Sequence, residues 1–591
     1  MNYRLRGQYS TNPDVALKQI LIDRGVEDIE KFLNPTSQCE LNPYDLDNIE
    51  IAAELLLKHL KNNNKICIVC DPDVDGITSS SIIWLYIKNI FPNADLTFTL
   101  HDGKQHGLDD KIDWLIDNNK QFNLILVPDA GSYDIEYHKR LKDSGIDCLV
   151  IDHHAVLIDK NGEMILPNQD YAIVVNNQLS LNYSNKFLCG AGMAYKFCEV
   201  LDDKLGIDCA REYLDLVALG EIADVMDKTN SETNYLMTEG LKHIKNKGLK
   251  TLIEAQSYTL KEKSIYPYPG LTTTDVAFYI APLINSIIRV GTLQEKEAIF
   301  YCFIEPDKLL KSTKRGAKEN DTETAAEQAA RVGKNAKARQ DKLKEKAIDL
   351  IDFKIQKNEL ANNNIIIVEL EPEDEIPSEI NGLVAMGIVN KYNKPCLIVR
   401  RNEDNLLQGS ARNNGNFSAL PDLKQYLGNS GFFEYVAGHN NAFGAGISVN
   451  KLSSFINYIN KDLPTNAFDK CYVVDYALKA TDNNTDLMFN LFSHPEFFGN
   501  QIEEIKIIVL DIPLSNVTIM GQNKDCIKIS YNNIDYIKFK DSDFVQEILS
   551  NRMSKLTVYG RGNINEFMGK TSIQFFIDDY ELEEDIHRYD F

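Results

Sequence analysis

The chain has 591 residues, 43% of them hydrophobic and 25% charged, with a net charge of −24. That composition describes an ordinary soluble multidomain protein, about three or four domains by length, and the acid excess disfavours loose binding to duplex DNA. No stretch approaches the apolar length of a membrane span and the polar start Met1-Asn2-Tyr3-Arg4 is no signal peptide, so a cytoplasmic location without a membrane partner is expected, and the eleven scattered cysteines suit a reducing compartment.

Residues 1–60 read as a helical segment and residues 61–310 as an α/β domain. Lys65 to Cys70 is a buried strand; Cys67 and Cys70 point to opposite faces of it, so their spacing is neither a redox nor a zinc motif. Directly after it comes Asp71-Pro72-Asp73-Val74-Asp75-Gly76, then Thr78, Ser79, Ser80 and a second apolar run. Carboxylates at alternate positions, where a strand gives way to a helix, repel one another and lose hydration when crowded. Folding does not call for them; a divalent metal does. Ser80 reads as a helix-start residue rather than a ligand. Asn123 to Val127 is another buried strand, closed by Pro128-Asp129-Ala130-Gly131, and Cys148 to Ile151 a third, ending in Asp152-His153-His154. Asp215 to Ile222 is an apolar helical stretch that runs into Ala223-Asp224-Val225-Met226-Asp227.

Each piece alone has a plainer reading. Asp-x-Asp-x-Asp-Gly is a solvated turn or a calcium loop, although the Glu of a calcium loop is missing, and a lone Asp-His-His signifies nothing. Together, in this order, the acids can converge beyond the carboxyl ends of parallel strands. Oxygen ligands with one or two imidazoles and no cysteine suit Mn²⁺ or Mg²⁺ better than structural zinc. Two such ions about 3.5–4 Å apart serve phosphodiester hydrolysis.

Farther along, Lys311 to Glu359 reads as one long proline-free polar helix, solvated between domains, with basic residues such as Lys334 and Arg339 in local charge pairs. In 361–465, Ile380-Asn381-Gly382-Leu383-Val384-Ala385, Gly409-Ser410-Ala411-Arg412 and Gly438-His439-Asn440-Asn441-Ala442-Phe443-Gly444 combine glycines that permit close backbone approach, an arginine fork that suits phosphate and a histidine that can donate to it. The last of these, alone, is equally a tight turn beside a core helix. From about residue 466 the chain is β-rich, with Ile505 to Leu514, Cys526 to Tyr531, Ile534 to Phe539, Leu556 to Gly560 and Ser572 to Ile577 as candidate strands of a small barrel.

The set Asp71/Asp73/Asp75, Asp129, Asp152-His153-His154 and Asp224 resembles the four motifs of the DHH phosphoesterase superfamily. Within it, Arg24-Gly25 to Phe32-Leu33-Asn34-Pro35 resembles the amino-terminal pattern of RecJ-like single-strand-specific exonucleases. Phe187 to Lys196 looks like their Gly-rich helix opening. The three signatures in 361–465 resemble those of the DHH-associated domain. His494 to Asn500 and Asn565 to Gly569 resemble turns before and within the RecJ OB-fold. Ala281-Pro282-Leu283-Ile284-Asn285 with Arg289 is similar to a phosphate-contacting segment, but Leu283 stands where the family has arginine and Ile287-Ile288 where it has small residues. His101 and His106 occupy a loop where the family has an arginine and a Gly-Tyr-Gly-Leu turn, and read as loop residues near the cleft.

The resemblance implies a parallel-sheet DHH domain and an α/β DHH-associated domain joined by a long helix, followed by an OB-like β-barrel over 466–591. It implies an exonuclease that runs 5′ to 3′ on single-stranded DNA and releases mononucleotides. Asp73, Asp75, Asp129, His153 and Asp224 would bind two Mn²⁺ or Mg²⁺ ions, with Asp129 bridging and Asp71 completing or orienting the first ion's shell. Asp152 would fix the tautomer of a neighbouring histidine, His154 would face the scissile phosphate, and Arg412, His439, Ser410, Gly438 and Arg289 would hold the strand. A monomer is expected, with a single-strand-binding protein or a helicase as partner. The acids Asp578, Asp579, Glu581, Glu583, Glu584 and Asp585 make protein docking a near-equal reading of the last domain. Two rival functions stand beside this one: a phosphodiesterase for short oligonucleotides or cyclic dinucleotides, and a non-catalytic single-strand-binding replication scaffold.

Overall fold

The computed structural model describes residues 1–103, 105–117, 121–157, 163–414, 420–464, 467–468, 471–550, 555–567 and 569–583. It divides into two compact units: Arg24–Ala338 with Glu496–Glu503, and Met1–Asp23 with Arg339–Pro495 and Glu504–Phe591. Residues 1–60 thus contribute to both units. Tyr3–Leu5 forms a strand, β1, that belongs to the second unit, and the chain changes unit between Asp23 and Arg24.

The first unit is built on a five-stranded sheet of β2 (Ile66–Cys70), β3 (Leu96–Leu100), β4 (Leu124–Pro128), β5 (Asp147–Asp152) and β6 (Ile173–Asn176), in the order β3-β2-β4-β5-β6. Every pairing is parallel. Strands of this kind are covered on both faces and read as unbroken apolar runs, which is why Ile66-Cys67-Ile68-Val69-Cys70 is buried throughout. Ile66, Ile68 and Cys70 enter a large core with helices Ile49–Lys61, Val74–Ile90 and Gly190–Leu205, whereas Cys67 and Val69 enter a smaller one with Leu108, Ile112 and Leu141. The two cysteines do face opposite sides. After β3 the chain returns across β2 to start β4, so the strand order reverses between β2 and β4, the place where open sheets of this type form a crevice.

Residues 309–324 are a hairpin of β7 (Leu309–Lys311) and β8 (Thr322–Thr324), and the long helix begins only at Ala325 and ends at Lys357. Lys311 is therefore not its start. The reason is Glu323: its buried carboxylate accepts from the Ser312 hydroxyl at 3.2 Å, the Thr313 amide at 3.2 Å, Gln328 Nε2 at 3.0 Å and Arg331 Nη2 at 2.5 Å, which ties the returning chain to the helix's first turns. Nor is the helix solvated all round. Ala326, Ala329, Ala330, Val332 and Ala336 pack into the large core of the first unit, and the chain passes from one unit to the other between Ala338 and Arg339.

In the second unit, β9 (Ile366–Glu369), β10 (Cys396–Arg401), β11 (Leu406–Arg412), β12 (Phe433–His439) and β13 (Ala442–Ser448) form a sheet in the order β12-β13-β11-β10-β9. β14 (Tyr472–Val474) pairs in parallel with β1. A seven-stranded sheet follows, of β15 (Tyr476–Lys479), β16 (Ile507–Pro513), β17 (Val517–Met520), β18 (Cys526–Tyr531), β19 (Ile534–Lys538), β20 (Lys555–Phe567) and β21 (Lys570–Glu583), in the order β15-β16-β20-β21-β19-β18-β17. β15 and β17 are its edges among the described residues. The expected strand 556–560 extends to Phe567 because glycines carry it past two obstructions. A Cβ at Gly560 would lie 2.0 Å from the Phe576 carbonyl oxygen, and one at Gly562 2.0 Å from the Phe492 ring, beside a bulge between Tyr559 and Gly560. Glu584 and Asp585 lie outside the described residues.

Candidate metal centre

Each acid is placed by a specific backbone device at the carboxyl end of the sheet. Asp73 caps helix Val74–Ile90, its Oδ1 accepting the Gly76 amide at 2.8 Å, and a carboxylate there is favoured by the helix dipole. Asp75 accepts the Gly190 and Ala191 amides at 2.5 and 2.8 Å, the first free donors of helix Gly190–Leu205. Asp129 follows β4 at φ +71°, in the left-handed region. Gly190 lets helix and acid meet, because a Cβ there would sit 2.6 Å from the Asp129 Cβ. Gly190→Ala is therefore expected to cost about 1–3 kcal/mol of stability by overpacking, read by urea unfolding. An unchanged midpoint would show that the Asp129 turn yields freely.

These devices bring the acids and imidazoles together. His153 Nε2 lies 3.1 Å from Asp129 Oδ1, 3.6 Å from Asp75 Oδ2 and 3.7 Å from Asp224 Oδ2. Ligand atoms of Asp71, Asp73 and Asp129 fall within 4.8 Å of one another, as do those of Asp75, His153 and Asp224 and those of Asp129, His153 and His154. Asp129 is buried and neither of its carboxylate oxygens has a hydrogen-bond partner. A buried, unpaired carboxylate is costly unless a cation meets it. The donor set, oxygens with one or two imidazoles and no thiol, fits Mn²⁺ or Mg²⁺.

Electrostatics say the same. Burial, then Asp71 and Asp75, push Asp73 up to about 6; burial, then Asp75 and Asp73, push Asp224 up to about 8. Burial and the same neighbours hold Asp129 well above the usual range, and burial lowers His153, leaving it a neutral ligand. Asp152 behaves oppositely. Burial would raise it, but the His154 imidazole and the Ser132 amide hold it well below the ordinary carboxylate. Its Oδ1 accepts His154 Nδ1 at 2.8 Å, and that bond raises His154 to about 9. The neighbouring histidine that Asp152 contacts through its ring is thus His154, and with the ring protonated the bond orients it rather than selecting a tautomer.

Asp71 is held by the loop at 101–108. Its Oδ2 meets His106 Nδ1 at 2.5 Å and its Oδ1 accepts the Gly107 amide at 3.0 Å. His106 is more than a loop residue near a cleft. His101 is buried against Asp110 at 2.5 Å. Arg289 is half-buried near Asp73; burial lowers its guanidinium and Asp73 opposes the shift. Ser80 sits buried within helix Val74–Ile90, not at its start, and belongs to none of the ligand groups above.

Residues 65–221 match the model of the DHH family, N-terminal domain, and residues 474–579 that of the RecJ OB domain. The putative single-strand DNA-specific exonuclease YorK of Bacillus phage SPbeta is 37% identical to this chain over 595 residues, covering 99% of the chain and 98% of YorK. The chain belongs to the RecJ-like family of DHH proteins. RecJ of Bacillus subtilis is 22% identical over 98% of the chain and 69% of its own length. The crystal structure of Thermus thermophilus RecJ in complex with Mn²⁺ shares the fold, with a TM-score of 0.68 at 21% identity over 96% of this chain and 75% of that one.

In this RecJ-like chain the expected strand-holding residues lie in the other unit, apart from Arg289. Ser410 pairs with Gly444, and Arg412 with Ala442, across β11 and β13. The Arg412 guanidinium lies against Gly382, where a Cβ would come within 2.2 Å of Nη2. All three signatures are thereby brought together. Gly438 has φ +130°, and a Cβ there would meet the Phe443 Cα at 2.9 Å, so the turn requires glycine. His439 pairs through its backbone with Ala442; its side chain lies outside the described residues.

Sequence reasoning missed several supports of the RecJ-like site. Asn176 at the end of β6 donates to the Ser132 hydroxyl at 3.0 Å and to the His154 carbonyl at 3.1 Å. Glu221, fully buried, accepts the Cys189 amide at 3.2 Å, and burial followed by Asp75 raises its pKa well above the usual value. An acid inside an apolar helical run, three residues before Asp224, was the available signal for Glu221; Asn176 gave none, because only the sheet order places it beside β5.

Proposed function

We propose that this chain is a metal-dependent exonuclease that hydrolyses phosphodiester bonds of single-stranded DNA from the 5′ end and releases mononucleotides. The observation that carries the reading is the convergence of Asp73, Asp75, Asp129, His153 and Asp224 at the switch point of the parallel sheet, with both Asp129 oxygens buried and, among the described residues, without a hydrogen-bond donor. Divalent cations, Mn²⁺ or Mg²⁺, supply charge neutralisation at a phosphodiester and easier deprotonation of water when bound. Asp73, Asp75, Asp129, His153 and Asp224 would hold them, with Asp129 as the shared ligand and Asp71 orienting the first site. Asp152 fixes the His154 ring. At neutral pH His154 is protonated, a cation suited to charge that develops on the phosphate. Arg412, Ser410, Gly438, His439 and Arg289 contact the strand.

Residues 61–310 are assigned as the catalytic DHH domain, 361–465 as the DHH-associated substrate-binding domain and 466–591 as the OB-like domain, with 1–60 and 311–360 as amino-terminal and linker segments. OB-folds bind single strands by stacking and a basic groove, which favours a long strand over a dinucleotide as substrate. No helix among the described residues is long and apolar enough to cross a membrane. We take the protein to act as a cytoplasmic monomer that receives its strand from a single-strand-binding protein or a helicase.

The test uses oligonucleotides blocked at the 5′ or the 3′ end, in Mn²⁺ and in EDTA. Mononucleotide release from the free 5′ end alone, abolished by EDTA, is the expected result. Tight binding of both strands without degradation would instead establish a scaffold.

A further inference from the structure

The turn that carries Asp224 is completed by a piece of chain from far downstream. Helix Leu214–Ala223 ends at Asp224, and Val225 follows with φ +57°. A β-branched residue in the left-handed region is strained, and such a conformation persists only where its surroundings over-determine it. The octapeptide Glu496–Glu503, which belongs to the same compact unit although its flanks on both sides do not, supplies those surroundings. Asn500 Nδ2 donates to the Glu221 carbonyl at 3.2 Å and to the Ile222 carbonyl at 3.3 Å, which also accept the Met226 amide at 3.0 Å and the Val225 amide at 3.2 Å. Gln501 Nε2 donates to the Val225 carbonyl at 3.3 Å, and the Asn500 carbonyl accepts the Lys228 amide at 3.2 Å.

The octapeptide is anchored independently of these bonds. Lys228 Nζ, buried, donates to the Glu496 carbonyl. Thr273 Oγ1 donates to the Phe498 carbonyl at 3.1 Å, and Arg24 Nε to the Glu503 carbonyl at 2.8 Å. The Phe32 and Phe497 rings lie 5.9 Å apart. Gly499, at φ +98°, sits where a Cβ would be 2.9 Å from the Thr273 hydroxyl. Asn500 is 8% exposed, and it too has a left-handed backbone, φ +46°. Asn500 and Gln501 thus bond to Glu221, Ile222, Val225 and Lys228, on both sides of Asp224 in the chain.

We propose that Asn500 is a positioning residue for Asp224: its side-chain amide closes the strained turn and sets the carboxylate for cation binding, so the metal centre of the DHH domain is finished by the segment that leads into the OB-like domain. This rests on the reading of Asp224 as a metal ligand. Outer partners of ligands of this kind carry about 10–100-fold in metal affinity.

The test is direct Mn²⁺ binding to the full chain without DNA, by calorimetric titration and by Mn²⁺ electron paramagnetic resonance, for wild type, Asn500→Ala and the near-isosteric Asn500→Asp. Both variants remove the amide donors, so both are expected to weaken one Mn²⁺ about 10–100-fold. They should lower kcat at limiting Mn²⁺, recover it at excess Mn²⁺ and leave the KM for DNA unchanged. Wild-type Mn²⁺ isotherms in both would overturn the proposal, as would normal binding in Asn500→Asp alone, which would mark a packing role. If circular dichroism shows that the Asn500 variants do not fold, the exposed Gln501→Ala serves; a several-fold weaker Mn²⁺ is expected and wild-type binding overturns. A wild type that binds two Mn²⁺ yet degrades no DNA would sink the exonuclease reading and leave this inference standing. A wild type that binds no Mn²⁺ would sink both.

Discussion

Asparagine in place of Asp129 lowers the turnover of single-stranded DNA by at least about a thousandfold at saturating Mn²⁺, while the protein stays folded. Asp129 is central to the cluster: it belongs to ligand groups with both the Asp71–Asp73 side and the His153–His154 side, and its carboxylate has no other partner. Losing several kcal/mol of transition-state charge stabilisation corresponds to that factor, since about 1.4 kcal/mol is tenfold. The same substitution should make the metal-free protein melt higher, because it removes a carboxyl whose ionisation is opposed by burial and then by Asp75 and Asp73. Initial rates and thermal melts of the one preparation measure both. Turnover within tenfold of wild type would place the chemistry elsewhere. Lowered activity with a lowered metal-free melt would mean that Asp129 is structural.

Removal of metal should make stability fall as pH rises above 6.5. Asp224 sits at about 8 against 3.8 for the free side chain, so up to about pH 8 the folded protein holds a proton that the unfolded chain has released, and stability drops with rising pH; Asp73, at about 6, has its corresponding loss below pH 6.5. His154, raised from 6.5 to about 9, acts in the same direction, its contribution complete below 6.5 and lost through 9. His153 is lowered from 6.5 and opposes this only at lower pH. In EDTA the first unfolding transition is expected several degrees lower at pH 8.5 than at pH 6.5. A fixed Mn²⁺ concentration about a hundredfold over the dissociation constant at pH 6.5 adds roughly 2.7 kcal/mol per ion there and raises the transition more at pH 8.5, where the acids have fewer protons to give up. A metal-free transition independent of pH would show that the acids are solvated rather than crowded, and the two-ion assignment would fall with it.

The acids of the centre were legible because each follows an apolar run that only a buried strand or helix explains. Asp71-x-Asp73-x-Asp75 after Ile66–Cys70, Asp129 after β4, Asp152 at the end of β5 and Asp224 after Leu214–Ala223 stand where the reading put them. The close backbone approaches expected of the glycines in 361–465 are also present, since a Cβ at Gly409 would lie 1.9 Å from the Ile398 carbonyl oxygen and one at Gly438 2.9 Å from the Phe443 Cα. Patterns failed where a distant partner decides the local structure. Residues 311–324 look helical until buried Glu323 gathers Ser312, Gln328 and Arg331 around itself. Tyr3–Leu5 has too few residues to announce a strand and becomes one only against Tyr472–Val474.

What the sequence by itself determined is the chemistry: which side chains can hold two cations, the order in which they come, and that parallel strands present them on one edge. That much depends on periodicity and on the cost of crowded carboxylates, which act over a few residues. Only the tertiary structure decided how the centre is held. His106 on Asp71, Asn176 behind His154 and Asn500 beneath Asp224 lie 35, 22 and about 276 residues from the groups they support. Their hydrogen bonds are individually worth about 1 kcal/mol and leave no pattern along the chain. They exist because the sheet order β3-β2-β4-β5-β6 and the returning octapeptide close long loops whose entropy was already spent by the burial of the apolar core.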